Sequence, residues 1–188
     1  MDLVDDRRAR YEALVYAVVE PLRRYARRRT DETTAEDVVA DALLVIWRRL
    51  DDVPADGELP WCYAVARRCL ANAERSRHRH RRLTERIARL DAPASPVPYV
   101  VDPPDPRLHR ALLRLRPDDR ELLRLWAWED LAPREIATVL GITPNAVSIR
   151  LHRAKTRLAA ELGTGGSPPR KSATGAGQIT ADDTEGPR

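Results

Sequence analysis

The stretch IATVLGITPNAVSIRLHRAK, residues 136–155, decides how the C-terminal half of this chain folds. Its apolar residues recur at helical spacing on both sides of Gly141, a residue type that commonly ends a helix in a left-handed conformation. Thr143 can cap a second helix, and Pro144 suits the first position of that helix because no hydrogen bond is lost there. The small Ala137 lets the two helices cross closely. The pattern therefore predicts a helix-turn-helix.

The second helix of this pair has two chemically different faces. The predicted buried set is Ile136, Ala137, Leu140, Ile142, Val147 and Leu151. The opposite face carries Asn145, Ser148, Ile149, His152 and Arg153. Mixed donors, a small hydroxyl and one exposed apolar side chain suit base edges and thymine methyl groups. Arg150, Lys155 and Arg157 can reach phosphates at the margins. A plain helical hairpin with a solvated basic face is the alternative, but the Thr-Pro start and the polar–apolar division favour DNA binding.

Composition and periodicity predict an all-α protein with two small domains. The chain has 188 residues, 43% of them hydrophobic, and a net charge of +4 that mildly favours a polyanionic partner. No strand-like alternation is sustained, whereas helical periodicity recurs. Predicted helices cover 8–29, 35–50, 61–90, 107–115, 118–129, 133–140 and 144–162.

Local signals refine these predicted helices. Pro21 is expected to kink or divide the first helix, and Pro60 to begin the third. Thr33 and Thr34 resemble the start of a capping box for the second helix. Trp61 and Trp47 are expected in the core. Of the pair Trp126 and Trp128, one is expected at the surface because they cannot both face inward.

Two segments between and after the helices have the composition of linkers. Residues 91–106 contain six prolines and three aspartates (Asp91, Asp102, Asp105) and no basic residue, which predicts an extended acidic linker between domains 8–90 and 107–162. Residues 163–188 lack an apolar pattern and are predicted to be a disordered tail. Just before the linker, residues 67–89 hold nine arginines against two glutamates, an excess of seven positive charges.

The sequence gives little support for a metal site, a disulfide or a membrane-spanning segment. Cys62 and Cys69 lie seven residues apart on one predicted helix, too far apart for a disulfide, and are expected to be small buried apolar residues. The sequence places no cysteine or carboxylate at metal-ligand spacing from His78 and His80, so no metal or cofactor is expected. Without a signal peptide or an apolar run near 18 residues, the chain is expected to be cytoplasmic.

At this point the motifs resemble a known family. Residues 111–162, with LRP at 115–117, EIATVLG at 135–141 and RLHRAKTRL at 150–158, resemble region 4 of bacterial RNA polymerase sigma factors of the extracytoplasmic-function type. Upstream, TAEDVVADALLVIWRRL (34–50) resembles region 2.2, and LPWCYAVARRCLANAERSRHRHRRL (59–83) resembles regions 2.3 and 2.4. The resemblance covers residues 8–162 and implies a protein that holds a promoter at two separated elements.

The resemblance also implies roles for particular residues. The recognition helix would read the −35 element through Asn145, Ser148, Ile149, Arg150, His152, Arg153 and Lys155. The strand opened at the −10 element would be held by Arg67, Arg68, Asn72, Arg75, Arg77 and Arg79. The β′ clamp helices of core RNA polymerase would be contacted by Asp37, Asp41, Leu44 and Arg48. Arg68 departs from the family pattern, because it stands where an asparagine often takes part in base capture.

Further partners follow from the same resemblance. They are the β flap of the polymerase, promoter DNA and an anti-sigma protein, and the acidic linker would thread along the active-site or RNA-exit path. No enzymatic activity is expected.

One competing hypothesis is a helix-turn-helix regulator that acts without core polymerase, with a sensor domain in residues 8–90. The other is a nuclease or deaminase using the cysteines and histidines, for which no base or orienting partner is apparent.

Overall fold

The computed structural model describes residues 2–87 and 105–164, which form seven α-helices and one short 3₁₀ helix without a β-strand. The α-helices are α1 (Asp2–Arg27), α2 (Glu32–Arg48), α3 (Glu58–Ile87), α4 (Pro106–Arg114), α5 (Pro117–Ala127), α6 (Pro133–Leu140) and α7 (Pro144–Thr164). The all-α prediction is confirmed. The predicted linker, apart from Asp105 and Pro106, lies outside the described residues, as does the tail beyond Thr164.

The N-terminal unit consists of α1, α2 and α3, which pack against one another around a shared apolar core. The apolar stripe of α1 is buried at Leu14, Val18, Leu22 and Tyr25, with Val15 half-buried. α2 contributes Val38, Val39, Ala42 and Ile46, and α3 contributes Val65, Cys69 and Leu70. The core follows the 3.6-residue spacing of apolar side chains, because that spacing places them on one side of each helix.

The structure corrects three local predictions in this unit. α1 is not divided at Pro21, which lies within the helix between the buried residues Val18 and Leu22. α2 is capped by Asp31, whose carboxylate accepts from the backbone N–H of Thr34 at 2.9 Å, and not by a threonine. α3 begins at Glu58, two residues before Pro60, which therefore occupies the first turn.

The prediction that Trp47 lies in the core is wrong, because its side chain is at the surface and is 37% exposed. Its ring lies at the edge of α1, 5.0 Å from the Tyr11 ring and 5.4 Å from the Arg7 guanidinium. Trp61 is half-buried against the core, as predicted. Trp126 is exposed while Trp128 is partly buried, so the expectation that one of the two reaches the surface is confirmed.

The C-terminal unit consists of α4 to α7, and α6 and α7 form the predicted helix-turn-helix. Gly141 ends α6 with φ 67° and ψ 37°, the left-handed conformation expected there. The hydroxyl of Thr143 accepts from the backbone N–H of Ala146 at 3.2 Å, which confirms its capping role. Ile136, Ala137, Val147 and Leu151 are all buried between the helices, as predicted.

The two units contact each other through α3 and α6 and through the end of α1. Arg29 donates to Glu121 at 3.1 Å and to Glu129 at 2.9 Å, and Arg28 donates to Glu129 at 3.0 Å. The Arg29 and Glu129 side chains are only 7% and 2% exposed. Buried ion pairs and the packing of α3 against α6 within one continuous apolar core therefore join the two units.

Candidate nucleic-acid and polymerase interfaces

The face of α7 that was predicted to read bases is solvent-exposed in the structure. Asn145, Ser148, Ile149, His152 and Arg153 are all exposed, while Val147 and Leu151 on the other side are buried. Ile149 is 45% exposed, which is unusual for a large apolar side chain in a small domain. The Ser148 hydroxyl donates to the carbonyl of Pro144 at 3.1 Å, which fixes its direction in the first turn. This part of α7 can enter a groove without rearranging its own unit.

Basic side chains line both margins of this reading face. On one margin the Lys155 ammonium lies 3.3 Å from the centre of the exposed Trp126 ring, a cation–π contact that holds the lysine against α5. On the other margin Arg157 donates to Asp119 at 2.5 Å and Arg116 donates to it at 3.3 Å. Asp119 is buried, so these contacts fix the margin of α7 against α5.

The N-terminus of α5 adds to this second margin. A recess there is lined by Arg116, Pro117, Asp118, Asp119, Arg150, Arg153 and Arg157. The first backbone N–H groups of a helix are unpaired within it and carry a partial positive charge. Four arginines beside a helix N-terminus form a surface suited to DNA phosphates, in spite of the two aspartates.

α3 presents the second basic surface, on the N-terminal unit. Arg67, Arg68, Asn72, Arg75, Arg77 and Arg79 are all exposed along it. Neither Arg67 nor Arg68 makes a hydrogen bond or an ion pair within the described part of the chain. Arg67, Arg68 and Arg75 line a cleft of about 410 Å³ whose other wall belongs to α5, including Glu121 and Arg124.

Two of the predicted strand-binding residues have structural partners that the sequence did not indicate. Arg77 donates to Asp31 at 2.9 Å and to the Thr30 hydroxyl at 3.1 Å, which joins α3 to the cap of α2. Arg75 donates to the amide oxygen of Asn72 within α3. The pKa of Asp31 is lowered, and the hydrogen bond from the backbone N–H of Thr34 is the largest cause. Because Arg77 joins α3 to this cap, it contributes to folding as well as to surface charge.

The predicted polymerase-binding residues form one exposed stripe along α2. Asp37, Asp41, Leu44 and Arg48 are exposed at successive turns of the helix, and Leu44 is 54% exposed. Trp47, left at the surface beside this stripe, extends its apolar area. An exposed leucine and tryptophan flanked by both charges have the composition of a protein-binding surface.

The two cysteine thiols of α3 belong to the apolar core. Cys62 and Cys69 are buried free thiols, as predicted, and burial together with the charge of Glu58 raises the pKa of Cys62 to about 12. In the part of the chain that the structure describes, no three histidine, cysteine or acidic side chains come together as a possible metal site. No helix among the described residues has the length and apolar character needed to cross a membrane.

Similarity to known proteins points to one family. Residues 106–158 match the family model of sigma-70, region 4. The chain is 36% identical over 134 residues to the RNA polymerase sigma factor CarQ of Myxococcus xanthus, covering 69% of this chain and 75% of that protein. It is 33% identical over 140 residues to the ECF RNA polymerase sigma factor SigL of Mycobacterium tuberculosis, covering 70% of this chain and 76% of that protein.

A solved structure shares the fold. The sigma factor RpoE of Bartonella quintana, crystallised with the anti-sigma factor NepR, superposes with a TM-score of 0.60 at 23% identity. The superposition covers 81% of this chain and 96% of that one. Family model, relatives and fold agree, and none of them supports a regulator that acts without polymerase. The chain therefore belongs to the extracytoplasmic-function sigma factors of bacterial RNA polymerase.

Proposed function

We propose that this sigma factor holds its promoter at two places, with α7 at the −35 element and α3 at the −10 element. The observation that carries the proposal is the presence of two exposed basic surfaces on different helical units. A regulator that binds one short operator needs only the first surface. A protein that must also hold an opened strand needs a second surface with unpaired cations, which Arg67 and Arg68 provide.

At the upstream element, the proposal divides α7 into a reading face and two phosphate-binding margins. Asn145, Ser148, Ile149 and His152 point away from the helix-turn-helix core and would contact base edges and methyl groups. Arg153 lies between this face and the α5 margin, within reach of either a base or a phosphate. Arg150 and Lys155, one at each margin, would set the register of the helix in the groove.

At the downstream element, we infer that α3 binds a single strand after the duplex opens. A basic groove follows the backbone of a separated strand, while a base rotated out of the stack needs a polar pocket. Asn72 would supply the amide edge, and Arg68 would replace the family's more common asparagine with a longer, charged donor set. The base preference at this element would differ accordingly from that of relatives with asparagine.

The exposed stripe of α2 would dock on the clamp helices of the polymerase β′ subunit, and the C-terminal unit on the β flap. We infer that the chain has no catalytic activity of its own and acts in the cytoplasm, where the polymerase works. Its relative from B. quintana was crystallised with an anti-sigma factor, and we propose that an anti-sigma protein also restrains this chain. The acidic linker would follow the active-site or RNA-exit path.

The experiment that tests this proposal is run-off transcription with purified core polymerase on fragmented genomic DNA. We expect transcripts from a small promoter class only when the chain is present, and sequencing their upstream regions gives both elements. Retention of a short DNA duplex by the chain alone, with the same sequence preference and no transcription with core enzyme, would favour a simple helix-turn-helix regulator and contradict the proposal.

A further inference from the structure

The cleft between α3 and α5 is lined mainly by arginines. Three acidic residues, Glu74, Asp118 and Glu121, share its walls with six arginines: Arg29, Arg67, Arg68, Arg75, Arg120 and Arg124. An excess of three positive charges, six minus three, therefore surrounds a space of about 410 Å³. Positive charges near one another repel, and water screens them less in a cleft than on an open surface. The α5 side of the cleft has no role in either proposed promoter contact.

The acidic residues of the cleft leave most of these arginines without a counter-charge. Glu121 is occupied by Arg29, whose Nε donates to it at 3.1 Å, and by the Tyr25 hydroxyl, which donates to it at 3.3 Å. Glu74 and Asp118 are exposed to solvent, and neither forms a salt bridge with any residue that the structure describes. Solvent screens the charge of such exposed carboxylates. The positive charge of the cleft is therefore not balanced by ion pairs among the described residues.

Arg124, on the α5 wall, is partly buried beside other cations. Its guanidinium makes no hydrogen bond or ion pair to a described residue, and it lies 5.4 Å from the centre of the Trp128 ring. Nε of Arg124, Nε of Arg120 and Nη2 of Arg29, whose side chain is only 7% exposed, are buried without a hydrogen-bond partner within residues 2–87 and 105–164. Burial lowers the pKa of Arg124, and the positive charges of Arg29 and Arg120 lower it further. Unpaired buried cations are unfavourable, and this wall has more cationic donors than acceptors.

The α3 wall offers donors of the same kind. Arg67 and Arg68 are exposed, and neither makes a hydrogen bond or a salt bridge in the described part of the chain. A guanidinium presents parallel N–H groups that match two oxygens of one phosphate, and two phosphates linked in one small molecule can accept from both walls at once. A volume of about 410 Å³ is within the range of about 300–1,000 Å³ that small-molecule sites occupy. The cleft thus has the charge and the size for a small diphosphate.

We propose that the cleft between α3 and α5 is a binding site for a small molecule that carries a diphosphate group. Arg67 and Arg68 bind it from one wall, and Arg120 and Arg124 bind it from the other. Arg67 and Arg68 also belong to the proposed strand surface, whereas Arg120 and Arg124 belong to this site alone. The site does not depend on the proposed function, because its charges are present whether or not α3 binds a strand. A bound diphosphate would accept from the unpaired donors of α5 and stabilise the folded chain.

The test is isothermal titration calorimetry of the full-length chain with inorganic pyrophosphate, in buffer without divalent cations. Inorganic phosphate is titrated in parallel as the single-phosphate comparison. Arg124→Gln removes a guanidinium of the α5 wall without breaking a hydrogen bond among the described residues. The matched control is Arg134→Gln, which removes the same charge from an exposed position of α6 outside the cleft. Circular dichroism verifies that helix content is retained, and Arg67→Gln with Arg68→Gln tests the site from the other wall, should Arg124→Gln fold poorly.

We expect the native chain to bind pyrophosphate more tightly than phosphate, because only the diphosphate reaches both walls. Arg124→Gln should weaken pyrophosphate binding roughly tenfold, the loss expected for a hydrogen bond to a charged group. The Arg134→Gln control should bind as the native chain does. No binding by the native chain, or equal losses in the two variants, would overturn the site. Equal affinities for phosphate and pyrophosphate would overturn the diphosphate assignment.

Binding of single-stranded DNA separates this site from the proposed strand surface. Fluorescence anisotropy gives the affinities of the native chain and of Arg124→Gln for a labelled strand of about 12 nucleotides of mixed sequence. We expect equal strand affinities, since Arg67 and Arg68 remain in both. A parallel loss of strand and pyrophosphate binding would assign Arg124 to the strand surface and overturn a separate site. Failure of the proposed function would be seen elsewhere, as no transcription by the native chain with core polymerase.

Discussion

Arg150 and Arg153 lie on the same margin of α7, one turn apart, and both border the recess at the start of α5. They nevertheless have different proposed partners, because Arg153 is closer to the face that carries Ile149 and His152. A bidentate contact with a base discriminates between sequences, whereas a contact with a phosphate does not. The exposed and buried faces of α7 follow from residue spacing, but the structure was needed to show that Asp119 and Arg116 adjoin this margin.

Substituting these two arginines separately should distinguish their roles. We expect Arg153→Ala to reduce discrimination at one upstream base pair by about 1–3 kcal/mol. Arg150→Ala should weaken binding to all sequences about equally and reduce the salt dependence by about one charge. Competition binding by holoenzyme on upstream-element variants at several salt concentrations measures both. Equal, sequence-independent losses in the two variants would contradict a base contact by Arg153.

The buried thiols give a second test at the level of single residues. Since burial raises the pKa of Cys62 from 9.0 to about 12, the thiolate fraction at pH 8 falls by about a thousandfold. The raised pKa also means that the stabilisation from this group is complete below pH 9 and is lost as the pH rises toward 12. We expect iodoacetamide to modify Cys62 at pH 8 only after unfolding in urea. Mass spectrometry would reveal modification of the folded chain, which would contradict the burial.

At the level of elements, the turn between α6 and α7 is the feature that the sequence predicted best. Gly141, Thr143 and Pro144 each encode a local backbone preference, so their positions specify where one helix stops and the next begins. The cap of α2 was harder to predict, because Asp31, Thr33 and Thr34 are all good cap residues and only the fold selects Asp31. Trp47 was misplaced because a helical stripe is wide enough to include residues at its edge.

Gly141 adopts a left-handed backbone conformation that favours glycine, whereas Gly163 does not. The φ of 67° at Gly141 disfavours any residue with a Cβ, although no atom lies within 4 Å of that position. We expect Gly141→Ala to lower the free energy of unfolding by about 1–2 kcal/mol for this conformational reason alone. Gly163→Ala, within α7, should be neutral or stabilise the helix by up to about 1 kcal/mol. Urea denaturation measures both, and equal effects would contradict the assigned turn.

The arginines of α3 divide into structural and solvent-facing groups. Arg77 joins α3 to Thr30 and Asp31, whereas Arg79, Arg81 and Arg82 are exposed. We expect the triple change of Arg79, Arg81 and Arg82 to Gln to slow open-complex formation and flatten its salt dependence without loss of thermal stability. Arg77→Gln should lower thermal stability as well. Permanganate reactivity of promoter thymines follows opening, and normal opening by the triple variant would contradict strand binding by this helix.

At the scale of the whole molecule, the contact between the two units could not be predicted from the sequence. Arg29 and Glu129 lie 100 residues apart in the chain, and neither residue belongs to a local pattern that indicates its partner. The individual helices were predictable, because each follows its own periodicity. How the units meet depends on surfaces that a single sequence does not pair. The roles proposed for the two basic surfaces rest on residue chemistry and on similarity to sigma factors.

The central claim is that one chain binds two promoter elements within a polymerase holoenzyme. Hydroxyl-radical footprinting on a promoter found by run-off transcription tests it most directly. We predict two protected patches about two and a half helical turns apart. Arg153→Ala should weaken the upstream patch, and the triple arginine variant of α3 should weaken the downstream one. A single protected patch, or the same footprint from the chain without core polymerase, would contradict the claim.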